Sequence, residues 1–139
     1  GDVNKAASII YQKLKQVELN DKPTAIVWGG ETTVKINGNG VGGRNQELAL
    51  IVAKLAYECP VDKSWAFLSA GTDGRDGPTE AAGAIIDQET CARILQRGYK
   101  TEDFLRENNS NAALKISDDL VHTGATGTNV ADVQILIVS

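Results

Sequence analysis

The sequence predicts an α/β fold: a layered sandwich in which helices cover a mixed, largely parallel β-sheet. Three observations lead there. Short apolar runs of strand length, at 24–28, 65–70 and 130–138, alternate with segments whose apolar residues recur every three or four positions. Polar, glycine-rich loops follow the strand-length runs, and no linker, repeat or low-complexity stretch divides the 139 residues. The whole length therefore reads as one domain, long enough to bury roughly two-thirds of the surface its unfolded chain exposes.

Residues 2–18 bring Ala6, Ile10, Leu14 and Val17 onto one helical face, with Lys5, Lys13, Lys15 and Glu18 between them. Asn20, Asp21 and Pro23 end this helix, and 24–28 (TAIVW) reads as a buried strand running into Gly29 and Gly30. An alternating stretch at 32–36 reads as a second strand, and the short gap before it allows a hairpin, hence the mixed sheet. The run 37–43 (NGNGVGG) holds four glycines and feeds a helix that starts near Arg44, with Leu48, Ile51, Val52 and Leu55 on one face.

The apolar run 65–70 (WAFLSA) predicts a strand buried on both faces, ending in the loop GTDGRDGPTE. Asp87 is placed to cap a helix with Cys91, Ile94 and Leu95 inside and Gly98 at its end. Thr101 and Ser110 are candidate caps for two short helices, and strand signals at 120–123 and 130–138 flank the loop GATGTN. Loops after the strand ends near Trp28, Ala70 and Thr123 are expected at one ligand-facing edge, where open α/β sheets bind.

Fourteen basic and eighteen acidic side chains give a net charge of -4, with no clustering of Lys and Arg, which argues against nucleic acid as a partner. The apolar run 135–138 is far below the ~20 residues of a membrane span, and no signal peptide opens the chain. The expected compartment is the cytoplasm, with the mitochondrion as alternative. Cys59, Cys91 and the single His122 form neither a zinc pattern nor a disulfide framework, so both cysteines read as small core residues.

Three segments carry candidate chemistry. In 40–47 (GVGGRNQE), Gly42 and Gly43 let the backbone approach a ligand, the helix start offers N–H groups to an anion, and Arg44 adds a planar donor fork. Asn45 and Glu47 belong to the same run; the alternative is a hairpin turn with Arg44 in solvent. In 72–80 (TDGRDGPTE), Thr72, Asp73, Gly74 and Asp76 follow a strand, and Asp73 or Asp76 is suited to hold magnesium or orient a substrate hydroxyl. Asx-turns without a ligand are the alternative. In 123–129 (TGATGTN), Thr126, Gly127, Thr128 and Asn129 are suited to wrap phosphate oxygens, or else simply form a turn; His122 reads as structural.

The blocks Gly29-Gly30-Glu31-Thr32, Gly42-Gly43-Arg44-Asn45-Gln46-Glu47, Ala70-Gly71-Thr72-Asp73-Gly74 with Asp76-Gly77-Pro78-Thr79, and Thr126-Gly127-Thr128-Asn129-Val130 with Asp132 occur in this order. Together they resemble the MOFRL signature of glycerate kinases over about residues 24–138. The resemblance implies the carboxy-terminal domain of a two-domain α/β enzyme, with the active site in a cleft against an amino-terminal domain of the same polypeptide. It implies ATP and Mg2+ as cofactors, D-glycerate as substrate and the 2-hydroxyl as the acceptor.

It also implies catalytic roles for Arg44, on the substrate carboxylate or the transferring phosphoryl group, and for Asp73, as orienter, magnesium ligand or base. The 139-residue piece alone is then expected to be inactive, and its oligomeric state is open. Ala125 in place of a frequent proline, Arg75 in place of an apolar residue, and the stretch 108–113 depart from the family pattern. Two other readings stand beside this one: a noncatalytic anion-binding or interaction module, and a hydroxypyruvate reductase-like oxidoreductase, which predicts nicotinamide binding.

Overall fold

A computed structural model describes all 139 residues. In chain order the elements are α1 (Val3–Val17), β1 (Thr24–Gly29), α2 (Arg44–Glu58), β2 (Trp65–Gly71), β3 (Gly83–Asp87), α3 (Thr90–Gln96), α4 (Thr101–Arg106), α5 (Ser110–Ile116), β4 (Leu120–Val121) and β5 (Asp132–Val138). One five-stranded sheet runs in the order β1-β5-β2-β3-β4. Every neighbouring pair in it is antiparallel.

The α/β class stands, but the largely parallel sheet does not. Helix α2 connects β1 to β2, and these two strands do run the same way; the closing strand β5 enters between them in the opposite sense and pairs with both. The connection from β2 to β3 contains no helix, so those strands meet as an antiparallel pair. The hairpin expected at 32–36 is also absent, because β1 takes β5 as its partner. Thr33 instead makes an isolated bridge with Asp2, which ties this segment to the start of α1.

Antiparallel pairing preserves the expected edge. In an alternating sheet every second strand points the same way, so the carboxyl ends of β1, β2 and β4 and the beginnings of β5 and β3 lie along one side. The helix α2 starts there too.

A single hydrophobic core fills the space between the sheet and its helices. The inward row Ile26, Leu136, Phe67 and Ile86 packs with Leu14, Leu48, Val52, Ile94 and Leu114. Helix α1 buries Val3, Ala7, Ile10, Leu14 and Val17, the face its spacing predicts, and Asp2 caps it by accepting from the Asn4 amide at 2.6 Å. Strand β1 is an edge strand with alternating exposure rather than a buried one. Three smaller expectations also shift: Leu95 and Cys59 are exposed, Thr101 and Ser110 are first helical residues rather than caps, and Glu89 rather than Asp87 precedes α3.

Trp65 lies on the inward side of β2 at 5% exposure. Trp65→Ala is expected to cost about 3–5 kcal/mol, read as a lower urea midpoint at unchanged slope. A midpoint within experimental error of the parent would place the ring outside the core.

Candidate active site

The site is built on the start of α2. Gly43 precedes the helix without a side chain to cap it, and the capping oxygens come from another loop. Asp76, buried, accepts from the Asn45 amide at 3.0 Å and the Gln46 amide at 2.8 Å. Its two oxygens also take Asn45 Nδ2 at 3.1 Å and Gln46 Nε2 at 2.9 Å. A carboxylate here complements the free amides and positive dipole end of the helix. Gly43 has to be glycine, since a Cβ there would overlap this carboxylate.

Two expectations change with this geometry. The helix start already holds an anion, Asp76, and offers Asn45 and Gln46 amides to no external phosphate. Asp76 is buried and takes four donors on its two oxygens, all from Asn45 and Gln46, which gives it a structural role at the helix start. Asn45 is likewise internal: its Oδ1 accepts from Ser69 Oγ at 2.8 Å.

Arg44, the first residue of α2, turns outward along the loop edge. Its fork meets the buried Asp132 at the beginning of β5, Nε to Oδ2 at 2.6 Å and Nη2 to Oδ1 at 2.9 Å, with Glu31 Oε1 at 3.5 Å. The hydrogen bond to Asp132 raises the already high pKa of the guanidinium, against the opposing effect of burial. One edge of the fork is thus committed within the chain. Neither Asp132 nor Glu31 figured among the sequence-derived site residues, although an Asp opening an otherwise apolar strand (DVQILIV) is a charge that requires a partner.

Arg44 also lines a cavity of about 460 Å³ with Thr32, Thr33, Gly42, Gly43, Glu47 and Asn108, among others. Glu47 is buried at its wall, and desolvation raises its pKa more than the Asn108 amide, donating at 2.8 Å, lowers it. Asn108 stands at a left-handed φ of 52° and accepts from the Asn37 and Gly38 amides. Glu47 and Asn108 together fasten the glycine-rich loop over the cavity, a pairing invisible to local sequence because the two lie 61 residues apart.

The other two predicted loops do meet. Thr72 donates from Oγ to the Ala131 carbonyl at 2.6 Å and accepts from the Val130 amide at 2.9 Å, while Thr126 Oγ donates to the Thr72 carbonyl at 2.6 Å. Thr72 and Thr126 are therefore staples, and Gly74 sits against the Gly124 carbonyl, where a side chain would not fit. Gly127, Thr128 and Asn129 are exposed, and Asn129 turns its Oδ1 back to the Ala131 amide.

Asp73 is exposed and spends Oδ1 on the Arg75 amide at 3.0 Å. It shares an open cavity of about 610 Å³ with Glu80, His122 and Gly124. No three His, Cys, Asp or Glu side chains group as a metal cage. Asp73 fits a role as one carboxylate ligand to a magnesium ion otherwise held by water and phosphate oxygens.

Residues 24–132 match the MOFRL family. The chain belongs to this family. It is 45% identical over 138 residues to a D-glycerate 2-kinase of Thermotoga maritima, covering 96% of this chain and 32% of that protein. It is 45% identical over 118 residues to the glycerate kinase of Homo sapiens, covering 82% of this chain and 23% of that one. The crystal structure of a glycerate kinase from Thermotoga maritima superposes with a TM-score of 0.92 at 42% identity, over 99% of this chain and 34% of that chain. This MOFRL chain spans between about a quarter and a third of the length of these relatives.

Two expected outcomes test the site's construction. Asp76→Ala strands two helix amides and two side-chain amides and is expected to cost about 2–4 kcal/mol, seen in the urea midpoint; a loss below about 0.5 kcal/mol would mean that water replaces the cap. For Glu47 the raised folded pKa means that the native state binds the proton more tightly than the unfolded state does. Its presence therefore lowers stability as pH rises above the ordinary 4.5. Glu47→Gln keeps an oxygen for Asn108 and is expected to gain stability relative to the parent between pH 4.5 and pH 8. A parallel pair of stability curves across that range would refute the desolvated carboxyl.

Proposed function

We propose that this MOFRL domain forms the carboxy-terminal part of a glycerate kinase, which transfers the terminal phosphoryl group of ATP to D-glycerate, at the 2-hydroxyl. The observation that carries the reading is the meeting of three glycine- and hydroxyl-rich loops along one sheet edge, with Arg44 and Asp73 lining neighbouring stretches of it in separate cavities, in a chain whose relatives are named glycerate kinases. Phosphoryl transfer demands positioning and charge neutralisation more than covalent chemistry from the protein, which suits an edge of backbone donors, hydroxyls and one arginine.

In this reading Arg44 is held in orientation by Asp132 and presents the outer edge of its guanidinium to the substrate carboxylate or the transferring phosphoryl group. Asp73 orients the reacting hydroxyl or binds Mg2+. Gly42, Gly43 and Glu47 form the cavity wall beside Arg44, and the exposed Gly127, Thr128 and Asn129 supply contacts to phosphate oxygens. The proposed compartment is the cytoplasm, with the mitochondrion as alternative; no helix of the chain is long and apolar enough to cross a membrane.

The test is ATP-dependent phosphorylation of D-glycerate by the longer polypeptide and by the 139-residue chain in parallel, with the product position read by NMR. Activity is expected in the longer protein alone. Arg44→Lys in that protein keeps the charge, loses the fork and is expected to lower kcat/KM at least about tenfold, or about 1.4 kcal/mol of transition-state stabilisation. Turnover by neither form would leave a noncatalytic anion-binding module, and turnover by the short chain would end the split-site reading.

A further inference from the structure

All the helices that build the core pack on one face of the sheet, and the other face is uncovered except at its loop-edge corner, where Ala70 and Gly83 are buried. Its central row crosses four strands as Val27, Ile135, Leu68 and Ile85. The row on one side of it is Ala25, Ile137, Ala66 and Asp87, and the row toward the loop edge is Gly29, Val133, Ala70 and Gly83. Apart from Asp87 at a corner these rows hold no charge and no hydrogen-bonding side chain. Val27 is 64% exposed, Ile137 54% and Ile85 47%. An α/β layer of this kind is stable when something covers it, and an uncharged apolar patch of this extent marks an interface.

We infer that this face docks the remainder of the longer polypeptide of which the proposed kinase consists, so the inference rests on that reading. Size decides between that occupant and a second copy. Four strands about 4.8 Å apart and six residues of about 3.4 Å each give a footprint of roughly 400 Å² per side, or roughly 800 Å² for both partners. Free protein pairs that stay together bury about 1,200–2,000 Å². Contacts between domains of one chain begin near about 600 Å², because the covalent link supplies the effective concentration.

The relatives named above provide the chain for it, being about three to four times as long as the matched domain.

Thiol labelling tests this without reference to turnover. In a Cys59→Ser background, in which the remaining Cys91 is buried, Val27→Cys and Ile137→Cys are placed singly in the 139-residue chain and in the longer polypeptide and reacted with a small maleimide. Both sites are exposed, so neither substitution disturbs the core. Labelling is expected to be at least about tenfold slower in the longer polypeptide, while Gln96→Cys at the exposed end of α3 reacts equally in both. Equal rates at Val27→Cys and Ile137→Cys in the two forms would overturn the inference. So would protection already present in the short chain that fades on dilution, because it would give the face to a second copy. An inactive polypeptide with protected thiols would sink the kinase reading alone, and an active one with unprotected thiols would sink this inference alone.

Discussion

Asp76 is the constraint from which the edge is built. A helix that begins beside a ligand edge leaves its first amides without intrahelical partners, and Gly43 has no side chain to satisfy them. The carboxylate that does so arrives from the loop after β2, so the glycine-rich loop, the start of α2 and the aspartate-rich loop become one body. Arg44 is the residue next to those caps, and its aim along the edge depends on that fixed helix start. Gln46 extends the clamp, donating to Asp76 and Thr79 and accepting from Asn111 on α5. A polar network of this kind is stable when every member is paired, and here the buried amides and carboxylates of the clamp are.

The all-antiparallel sheet serves this arrangement as well as a parallel one. The common rule places ligands beyond the carboxyl ends of parallel strands, and what it requires is that the ends of several strands share a side. Strands β1, β2 and β4 meet that requirement as alternate members of an antiparallel sheet, with β5 and β3 returning between them. Asp132 profits from the return: it opens β5 opposite Gly71, at the very end of β2, and so reaches Arg44.

Local pattern carried the helices and the loop edge, because helical spacing and glycine-rich strand ends are short-range signals. α1 and α2 fall where Ala6, Ile10, Leu14 and Arg44, Leu48, Val52 predict them. Strand neighbours are a long-range property: nothing near Ile26 announces that its partner is Leu136, over a hundred residues on. The same limit divides the site. Arg44 and Asp73 were legible as residue types in permissive loops, whereas Asp76 looks identical to Asp73 in sequence and differs only in being buried against a helix start. Asp132 and Asn108 were missed because their partners, Arg44 and Glu47, lie far away along the chain.

Charge at the edge bears on how much of the proposed kinase site this domain would supply. Arg44 brings one positive charge, and Asp132 and Glu31 face it directly, with Asp73 and Glu80 along the same side. Arg75, two residues from Asp73, and Lys35, in the same connection as Glu31, are the other cations in these loops. The proposed substrates, glycerate and ATP, are both anions, and an edge whose carboxylates outnumber its cations does not by itself concentrate them. Under the proposed kinase reading, further positive charge would come from outside the chain, as a metal ion beside a carboxylate such as Asp73 and as cations on a covering domain. The geometry of Arg44 is then that of an orienter: Asp132 fixes the plane of its fork and accepts part of its charge, which sharpens direction at the expense of attraction. Under the proposed reading, selectivity for a planar carboxylate or phosphoryl group would follow from that plane, and affinity from what closes over it.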